Sequence, residues 1–372
     1  MQNIEEINDR GFGEILNALN AGVYITDTER RIVFWNRRAE EITGHAAEEV
    51  KGHRCSARIL QHTDKDGRPL CSTDLCPLLR AMVHERSDVE PIVVYALSKE
   101  GERLALSTSV APVFSDDGRV IGGVEVFRDE RENIREMELA RAVQRQMLTR
   151  DLPQDERIVF DVQYAPRDMI GGDFYHFSRL SDDEFAVFLG DAAGHGPAAA
   201  LYTSLVYGLL AECSEALADP AALLGELNDR ACRRAGGLGF FTAVALTTDA
   251  AEGVLSYSLA GHPPLLLQRA AEGGVTPLST PQLPIGVTGD ASYENDTVTL
   301  QSGDRVIAYT DGVTDLQTGE EKRVGIDGLT ALMKETPPQE NNRLEELYEA
   351  LLERCVTVTP DDDMTLLGCL IR

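Results

Sequence analysis

One feature constrains the C-terminal part of this chain above all others: aspartates recur where a predicted buried strand meets a loop. Each stands beside small or apolar residues, and the set comprises Asp173, Asp191, Asp311 and the run Asp361–Asp363. A buried carboxylate costs several kcal/mol unless it is paired or bound to a metal. A single such aspartate would indicate a turn or a helix cap. Four motifs of the same kind in one segment instead favour a shared centre.

The ligand chemistry of that centre follows from its residue types. No run of Lys or Arg lies beside these aspartates to neutralise them, and the segment has no Cys/His spacing typical of zinc. Ligand sets made only of oxygen suit hard cations such as Mg²⁺ or Mn²⁺. Several carboxylates around one centre indicate a two-metal site, which activates water and clamps a phosphoryl oxygen.

The same segment resembles a known enzyme family. The ordered motifs are GGDFYHF, GDAAGHGPAAAL, FFTAVALTTD, LAGHPPLLL, LPIG, YTDGVTD and DDDMTLL. They are similar to the SpoIIE-like bacterial branch of the metal-dependent (PPM) protein serine/threonine phosphatases, over residues 153–372. The resemblance implies an α-β-β-α sandwich, with two Mn²⁺ or Mg²⁺ ions in a channel between two sheets and a phosphorylated anti-sigma-factor antagonist as substrate.

The resemblance also implies a role for each motif residue. Asp191 bridges the two ions and the backbone carbonyl of Ala192 adds a ligand. Asp311 and Asp362 complete the shell of one ion, with Asp363 as second choice in that motif. Asp173 holds metal-bound waters. A water or hydroxide that bridges the ions attacks phosphoserine or phosphothreonine in line, without a phosphoenzyme. His195 is either a general acid or phosphate contact, or a structural residue at its turn.

The first part of the chain, 11–128, has a different pattern. A hairpin is predicted from GVYITD and RIVFWN, followed by short helices and three strands. This order resembles a PAS sensor domain with an antiparallel sheet, so the chain as a whole is of the α+β class. Its ligand is unknown. Cys55, Cys71 and Cys76 either take part in metal or redox chemistry or are simply buried thiols, and Trp35 is predicted in the core.

Residues 129–152 form a predicted helical linker. Apolar residues recur at spacings of three and four, as expected for one face of a helix: Ile134, Met137, Ala140, Val143 and Met147. This stripe predicts either a coiled coil that joins two copies of the chain or a helix packed on its own domains. With the PAS resemblance, the first alternative implies a homodimer whose linker regulates the phosphatase.

Charge and composition limit the partners. The formal net charge is −27, which disfavours nucleic acids and anionic membrane surfaces. No apolar run reaches the ~20 residues of a membrane span, and the start of the chain lacks the apolar region of a signal peptide. We therefore expect a cytoplasmic signalling phosphatase. The alternative is a non-catalytic adaptor that uses the phosphatase fold to bind a partner.

Overall fold

A computed structural model describes residues 10–57, 59–71, 73–148, 151–194, 196–271, 273–319, 322–338, 343–355 and 360–372. The chain divides into two compact units, Met1–Glu136 and Met137–Arg372. No helix in the described ranges is long and apolar enough to cross a membrane.

The first unit is built on one antiparallel sheet of five strands in the order β2-β1-β5-β4-β3. Its elements are α1 (Arg10–Asn17), β1 (Gly22–Asp27), β2 (Ile32–Trp35), α2 (Arg37–Thr43), α3 (Ala47–Val50), α4 (Pro77–His84), β3 (Asp88–Leu97), β4 (Arg103–Phe114) and β5 (Val120–Asp129). The predicted hairpin is confirmed, because β1 pairs with β2 in antiparallel register. The three later strands are confirmed as well.

The core of this unit forms around aromatic residues of the sheet. Trp35 is 4% exposed, as predicted, and its ring lies 5.5 Å from that of Tyr24 and 6.2 Å from that of Phe127. Asn36 follows β2 and is fully buried. Its side-chain oxygen accepts hydrogen bonds from the backbone N–H groups of Val23 and Ala39, so it both caps α2 and ties that helix to β1.

A single helix, α5 (Arg131–Met147), follows β5. Its predicted stripe is present in part: Ile134, Met137, Ala140 and Met147 are half-buried. Val143 is instead 52% exposed, and the neighbouring Gln144 is the buried residue of the helix.

The second unit is a sandwich of two five-stranded antiparallel sheets, in the orders β13-β10-β9-β8-β7 and β12-β11-β14-β17-β6. The strands are β6 (Ile158–Ala165), β7 (Asp173–Arg179), β8 (Glu184–Ala192), β9 (Phe241–Asp249), β10 (Val254–Ala260), β11 (Leu265–Gln268), β12 (Val275–Leu278), β13 (Asp296–Thr299), β14 (Arg305–Tyr309), the hairpin pair β15 (Gln317–Gly319) and β16 (Lys322–Arg323), and β17 (Met364–Ile371).

Helices cover both outer faces of the sandwich, which confirms the predicted α-β-β-α layering. They are α6 (Gly196–Glu212) and α7 (Pro220–Ala235) on one side, and α8 (Asp311–Thr314), α9 (Gly325–Glu335) and α10 (Glu345–Glu353) on the other. Between the sheets, the ring of Phe160 lies 5.4 Å from that of Phe177 and 5.5 Å from that of Phe185.

The apolar sequence after Gly196 predicts a helix over about Pro197–Ala218, but α6 ends earlier, at Glu212. A 3₁₀ turn over Ser214–Ala216 takes the place of its last turn. Pro220 disfavours a helical conformation in the residue before it, and Asp219 is accordingly extended and caps α7 with its side chain. Helix α6 therefore ends several residues before α7 begins.

The Asn36→Ala variant should lower the free energy of unfolding of the first unit by about 3 kcal/mol, because it leaves buried backbone groups of four residues without partners. The Asn36 amide nitrogen also donates to the carbonyls of Leu16 and Ala21. Fluorescence of Trp35, the single tryptophan, reports this unit during urea unfolding. The exposed Asn133→Ala variant is the control and should shift stability by less than about 0.5 kcal/mol. Equal stability of the two variants would contradict this account.

Candidate metal centre

The centre begins with two aspartates on neighbouring strands. Asp173 is the first residue of β7, Asp191 is next to last in β8, and the two are directly opposite in the antiparallel register. Residues that face each other across an antiparallel pair project from the same side of the sheet. The strand pairing therefore brings together two carboxylates that are well separated in sequence.

Asp173 is 1% exposed and is held by two threonines. Its Oδ2 accepts hydrogen bonds from the hydroxyls of Thr310 at 2.8 Å and Thr365 at 2.6 Å. Its Oδ1 is buried and accepts no hydrogen bond from the residues that the structure describes. Burial, followed by the charge of Asp191, raises the pKa of Asp173 well above its usual range.

Asp191 is partly exposed at the same end of the sandwich. Burial raises its pKa to about 8, with further contributions from the negative charges of Asp311 and Asp362. Its carboxyl group is also within hydrogen-bond reach of Asp173. Burial together with Asp362 likewise raises the pKa of Asp311. Asp191 thus lies where the repulsion from the other carboxylates is concentrated.

Asp311 begins α8 directly after β14, and Asp362 lies in the loop before β17, the strand that pairs with β14. The two segments touch: a Cβ added at Gly312 would lie 2.0 Å from the backbone oxygen of Asp363. Only glycine permits so close an approach of the two backbones. The structure therefore gathers Asp173, Asp191, Asp311 and Asp362 at one end of the sandwich, where their charges act on one another.

The three aspartates of the final motif differ in their surroundings. Both carboxylate oxygens of Asp363 accept backbone N–H bonds, from Arg167 at 2.7 Å and from Gly172 at 2.5 Å, and the residue is 3% exposed. Asp362 is more open, and its Oδ1 accepts from the backbone N–H of Asp363. Asp361 is exposed and accepts from Gln317. These contacts suit Asp363 to a supporting role and leave the Asp362 carboxylate free to act as a metal ligand.

The remaining residues of these motifs have differing surroundings. Ala192 is 1% exposed, and its N–H donates to the carbonyl of Gly172 at 3.2 Å. His195 lies outside the described residues. His262 is buried, and its Nδ1 forms a hydrogen bond of 2.9 Å with the hydroxyl of Thr242. Burial lowers its pKa to about 3, so that its ring is neutral near pH 7.

The donor set fits a hard divalent cation. It consists of carboxylate oxygens, one of which, Asp173 Oδ1, is buried without a partner, and the carboxylates raise one another's pKa. Within the described ranges, no three His, Cys, Asp or Glu side chains already stand in an arrangement that could hold a metal ion. The carboxylates therefore converge on a common region without being closed around it.

Sequence reasoning missed three polar residues of this region: Thr310, Thr365 and Gln144. Both threonines stand next to motif aspartates, in YTDG and DDDMT, so their proximity to an acidic residue was visible. Their contact with Asp173 was not, because it spans 137 and 192 residues. Gln144 carried a weaker signal, a polar residue at the edge of an apolar stripe.

The cysteines of the first unit are buried and free. Burial raises the pKa of Cys55 to about 12 and that of Cys71 to about 11, so both are protonated thiols near neutral pH. The same interior holds Glu125, a buried carboxyl group that the sequence reasoning did not single out. Its Oε2 accepts a hydrogen bond of 2.7 Å from the hydroxyl of Tyr24.

Comparison with family models matches each unit. Residues 181–371 match the family of Stage II sporulation protein E (SpoIIE), and residues 16–135 match the PAS fold. The family match falls on the sandwich that carries the carboxylates. The PAS match falls on the unit with the single antiparallel sheet.

Characterised relatives are similar over about half of this chain. Phosphoserine phosphatase RsbP of Bacillus subtilis is 29% identical over 190 residues, which cover 49% of this chain and 45% of the relative. Phosphoserine phosphatase RsbU of the same species is 26% identical over 183 residues, covering 49% and 54%. This chain thus spans about half the length of the curated relatives it matches.

Solved structures agree with the fold. The SiaA-PP2C domain of Pseudomonas aeruginosa superposes with a TM-score of 0.58 at 25% identity, covering 65% of this chain and 98% of that domain. A structure of RsbU and RsbW domains from Mycobacterium tuberculosis gives a TM-score of 0.53 at 23% identity, covering 61% and 63%. The second likeness concerns the fold alone. Together they confirm a PP2C-like sandwich.

The Asp173→Asn variant should stabilise the protein in EDTA at pH 8 by about 1–2 kcal/mol, because the unfolded chain ionises this carboxyl group freely at that pH whereas burial and Asp191 disfavour its ionisation in the fold, and an amide does not ionise. The amide oxygen can still accept from both threonines, and the amide nitrogen can donate to Asp191. The exposed Asp182→Asn variant is the control. Unfolding is followed by far-ultraviolet circular dichroism. Added Mn²⁺ should stabilise the wild-type chain but not the Asp173→Asn variant. If Asp173→Asn were less stable than wild type in EDTA, the repulsion described above would be contradicted.

Proposed function

This chain belongs to the SpoIIE family and carries a PAS fold before the family domain, and on that premise we propose that it is a signal-regulated, metal-dependent protein serine/threonine phosphatase. The observation that carries the proposal is the convergence of four carboxylates at one end of the sandwich: Asp173, Asp191, Asp311 and Asp362. Their mutual repulsion is relieved by divalent cations.

Each residue has a defined task in this proposal. Asp191, which lies among the other carboxylates, and the carbonyl of Ala192 would hold two Mn²⁺ or Mg²⁺ ions. Asp311 and Asp362 would supply further ligands to one of them. When bound, the ions supply Lewis-acid activation of water and neutralise charge on the phosphoryl group. Asp173 orients the attacking water through its unpartnered Oδ1, while Thr310 and Thr365 hold its other oxygen.

Displacement then occurs in line at phosphorus. Water attacks opposite the seryl or threonyl oxygen, the P–O bond to that oxygen breaks, and the products are inorganic phosphate and the free hydroxyl. No side chain of the centre is a nucleophile, because the carboxylates are engaged as ligands. A chain with a net charge of −27 repels a phosphorylated substrate, and the cations reverse that field at the site.

The substrate class is a phosphorylated protein, with phosphoserine as the first expectation. Two relatives are named as phosphoserine phosphatases, which supports this choice. We extend it to an anti-sigma-factor antagonist, the substrate that the family resemblance implies.

Regulation is assigned to the parts that precede the sandwich. We divide the chain into a PAS sensor over 11–128, a linker over 129–152 and the phosphatase domain over 153–372. In α5, Leu139 and Val143 are four residues apart and are 68% and 52% exposed. Exposed apolar residues at this spacing support pairing with a second copy, giving a homodimer through the PAS domain and the linker stripe of Met137, Ala140, Val143 and Met147.

Turnover of a phosphoserine peptide by the full chain tests the proposal. Activity should require Mn²⁺ or Mg²⁺ and be abolished by EDTA. Asp191→Asn and Asp362→Asn should each lower kcat by about 1,000-fold, since several kcal/mol of transition-state stabilisation depend on the bound ions. The matched control is Asp361→Asn, next to Asp362 in the chain but exposed and bonded to Gln317; it should stay within about threefold of wild type.

Two results would count against the proposal. Metal-independent turnover would remove the two-metal chemistry. Binding of Mn²⁺ without turnover, in both the full chain and residues 153–372, would favour the adaptor alternative.

A further inference from the structure

Helix α5 carries one buried polar side chain, Gln144. It is 7% exposed, whereas Val143 beside it is 52% exposed and Gln146 is also exposed. Burying an apolar side chain at this position would be more favourable than burying an amide, because a buried amide destabilises the fold unless its hydrogen bonds are made. The buried position of Gln144 therefore depends on its partners.

Those partners are both backbone groups of a single glycine. The Gln144 amide nitrogen donates to the carbonyl of Gly171 at 2.6 Å, and the N–H of Gly171 donates to the Gln144 side-chain oxygen at 3.2 Å. Both bonds are buried. The amide thus acts as a two-point clamp on the loop that joins β6 to β7.

The clamped loop contacts two residues of the carboxylate centre and one residue of α6. The N–H of Gly172 donates to Asp363 at 2.5 Å, and its carbonyl accepts from the N–H of Ala192 at 3.2 Å and from the hydroxyl of Thr203 on α6 at 2.8 Å. The next residue along the chain is Asp173. A movement of this loop therefore moves Asp173 and changes the support of Asp363 and Ala192 together.

Packing around the loop leaves little room to absorb such a movement. A Cβ added at Gly171 would lie 2.8–2.9 Å from the carboxylate atoms of Asp363. One turn before Gln144, Arg141 on the same face of α5 has a buried Nε that bonds to no residue in the described part of the chain. Its charge acts on Tyr164 of β6, whose register partner is Thr365. The end of α5 is thus seated directly against the structures that hold the carboxylates.

We propose that Gln144 is a positioning residue for the metal centre: its clamp on Gly171 sets the placement of Asp173 and Asp363, so that the seating of α5 controls metal affinity. This deepens the proposed phosphatase function and rests on it. It also gives the linker a defined point of action, because a signal that shifts α5 would release or engage the clamp without touching any ligand.

Two methionine variants of the full chain separate the clamp from general effects on the helix. Gln144→Met keeps the length of the side chain and removes both hydrogen bonds, and Gln146→Met makes the same change at an exposed position two residues away. Calorimetric titration without substrate should show Mn²⁺ binding about tenfold weaker in Gln144→Met than in Gln146→Met. Turnover of a phosphoserine peptide should fall at low Mn²⁺ and recover to within about threefold of wild type at saturating Mn²⁺, with KM for the peptide unchanged.

Equal Mn²⁺ affinity in the two variants would overturn the clamp. If Gln144→Met does not fold, amide hydrogen exchange of the wild-type chain decides: Mn²⁺ should slow exchange at Gly171 and Gly172, and unchanged exchange would overturn the clamp. A wild-type chain that binds Mn²⁺ without turnover would refute the phosphatase proposal alone, and the clamp would still be judged by Mn²⁺ affinity. A wild-type chain that binds no Mn²⁺ would refute both.

Discussion

The repulsion between Asp173 and Asp191 is the constraint on which the rest of the second unit depends. Strand pairing places the two carboxylates opposite each other, and burial removes much of the water that would screen them. The unfavourable interaction is tolerated because a rigid sandwich holds both strands. The repulsion also favours cation binding, since a divalent ion placed between the carboxylates removes it. The same repulsion therefore lowers the stability of the metal-free fold and raises its affinity for metal.

The surrounding contacts keep this arrangement from relaxing. Thr310 and Thr365 donate hydrogen bonds to one oxygen of Asp173. Asp363 anchors the loop between β6 and β7, which precedes Asp173, by accepting from two of its backbone N–H groups. Asp363 therefore serves the centre as a structural anion, although it stands beside the proposed ligand Asp362. On the other side of the same loop, Gln144 of the linker helix bonds to both backbone groups of Gly171.

The strand-end aspartates and the hairpin could be predicted because they depend on local pattern, whereas the layering of the sandwich was implied by the family resemblance. Strands such as β8, β14 and β17 are buried almost throughout, so polar residues at the ends of their apolar runs stand out in the sequence. The contacts that complete the centre could not be predicted, since Asp173 meets Thr365 across 192 residues and Gln144 meets Gly171 across 27. Val143 fits the periodicity of the stripe, yet Gln144 is buried in its place because two hydrogen bonds make the amide favourable there.

Anomalous diffraction at the manganese edge, from crystals of the full chain grown with Mn²⁺, would locate the bound ions. We expect two manganese peaks at the end of the sandwich, bridged by Asp191, with Asp311 and Asp362 as ligands of one ion and Asp363 still bonded to the backbone of Arg167 and Gly172. Manganese bound elsewhere, or by Asp363 in place of Asp362, would contradict this expectation.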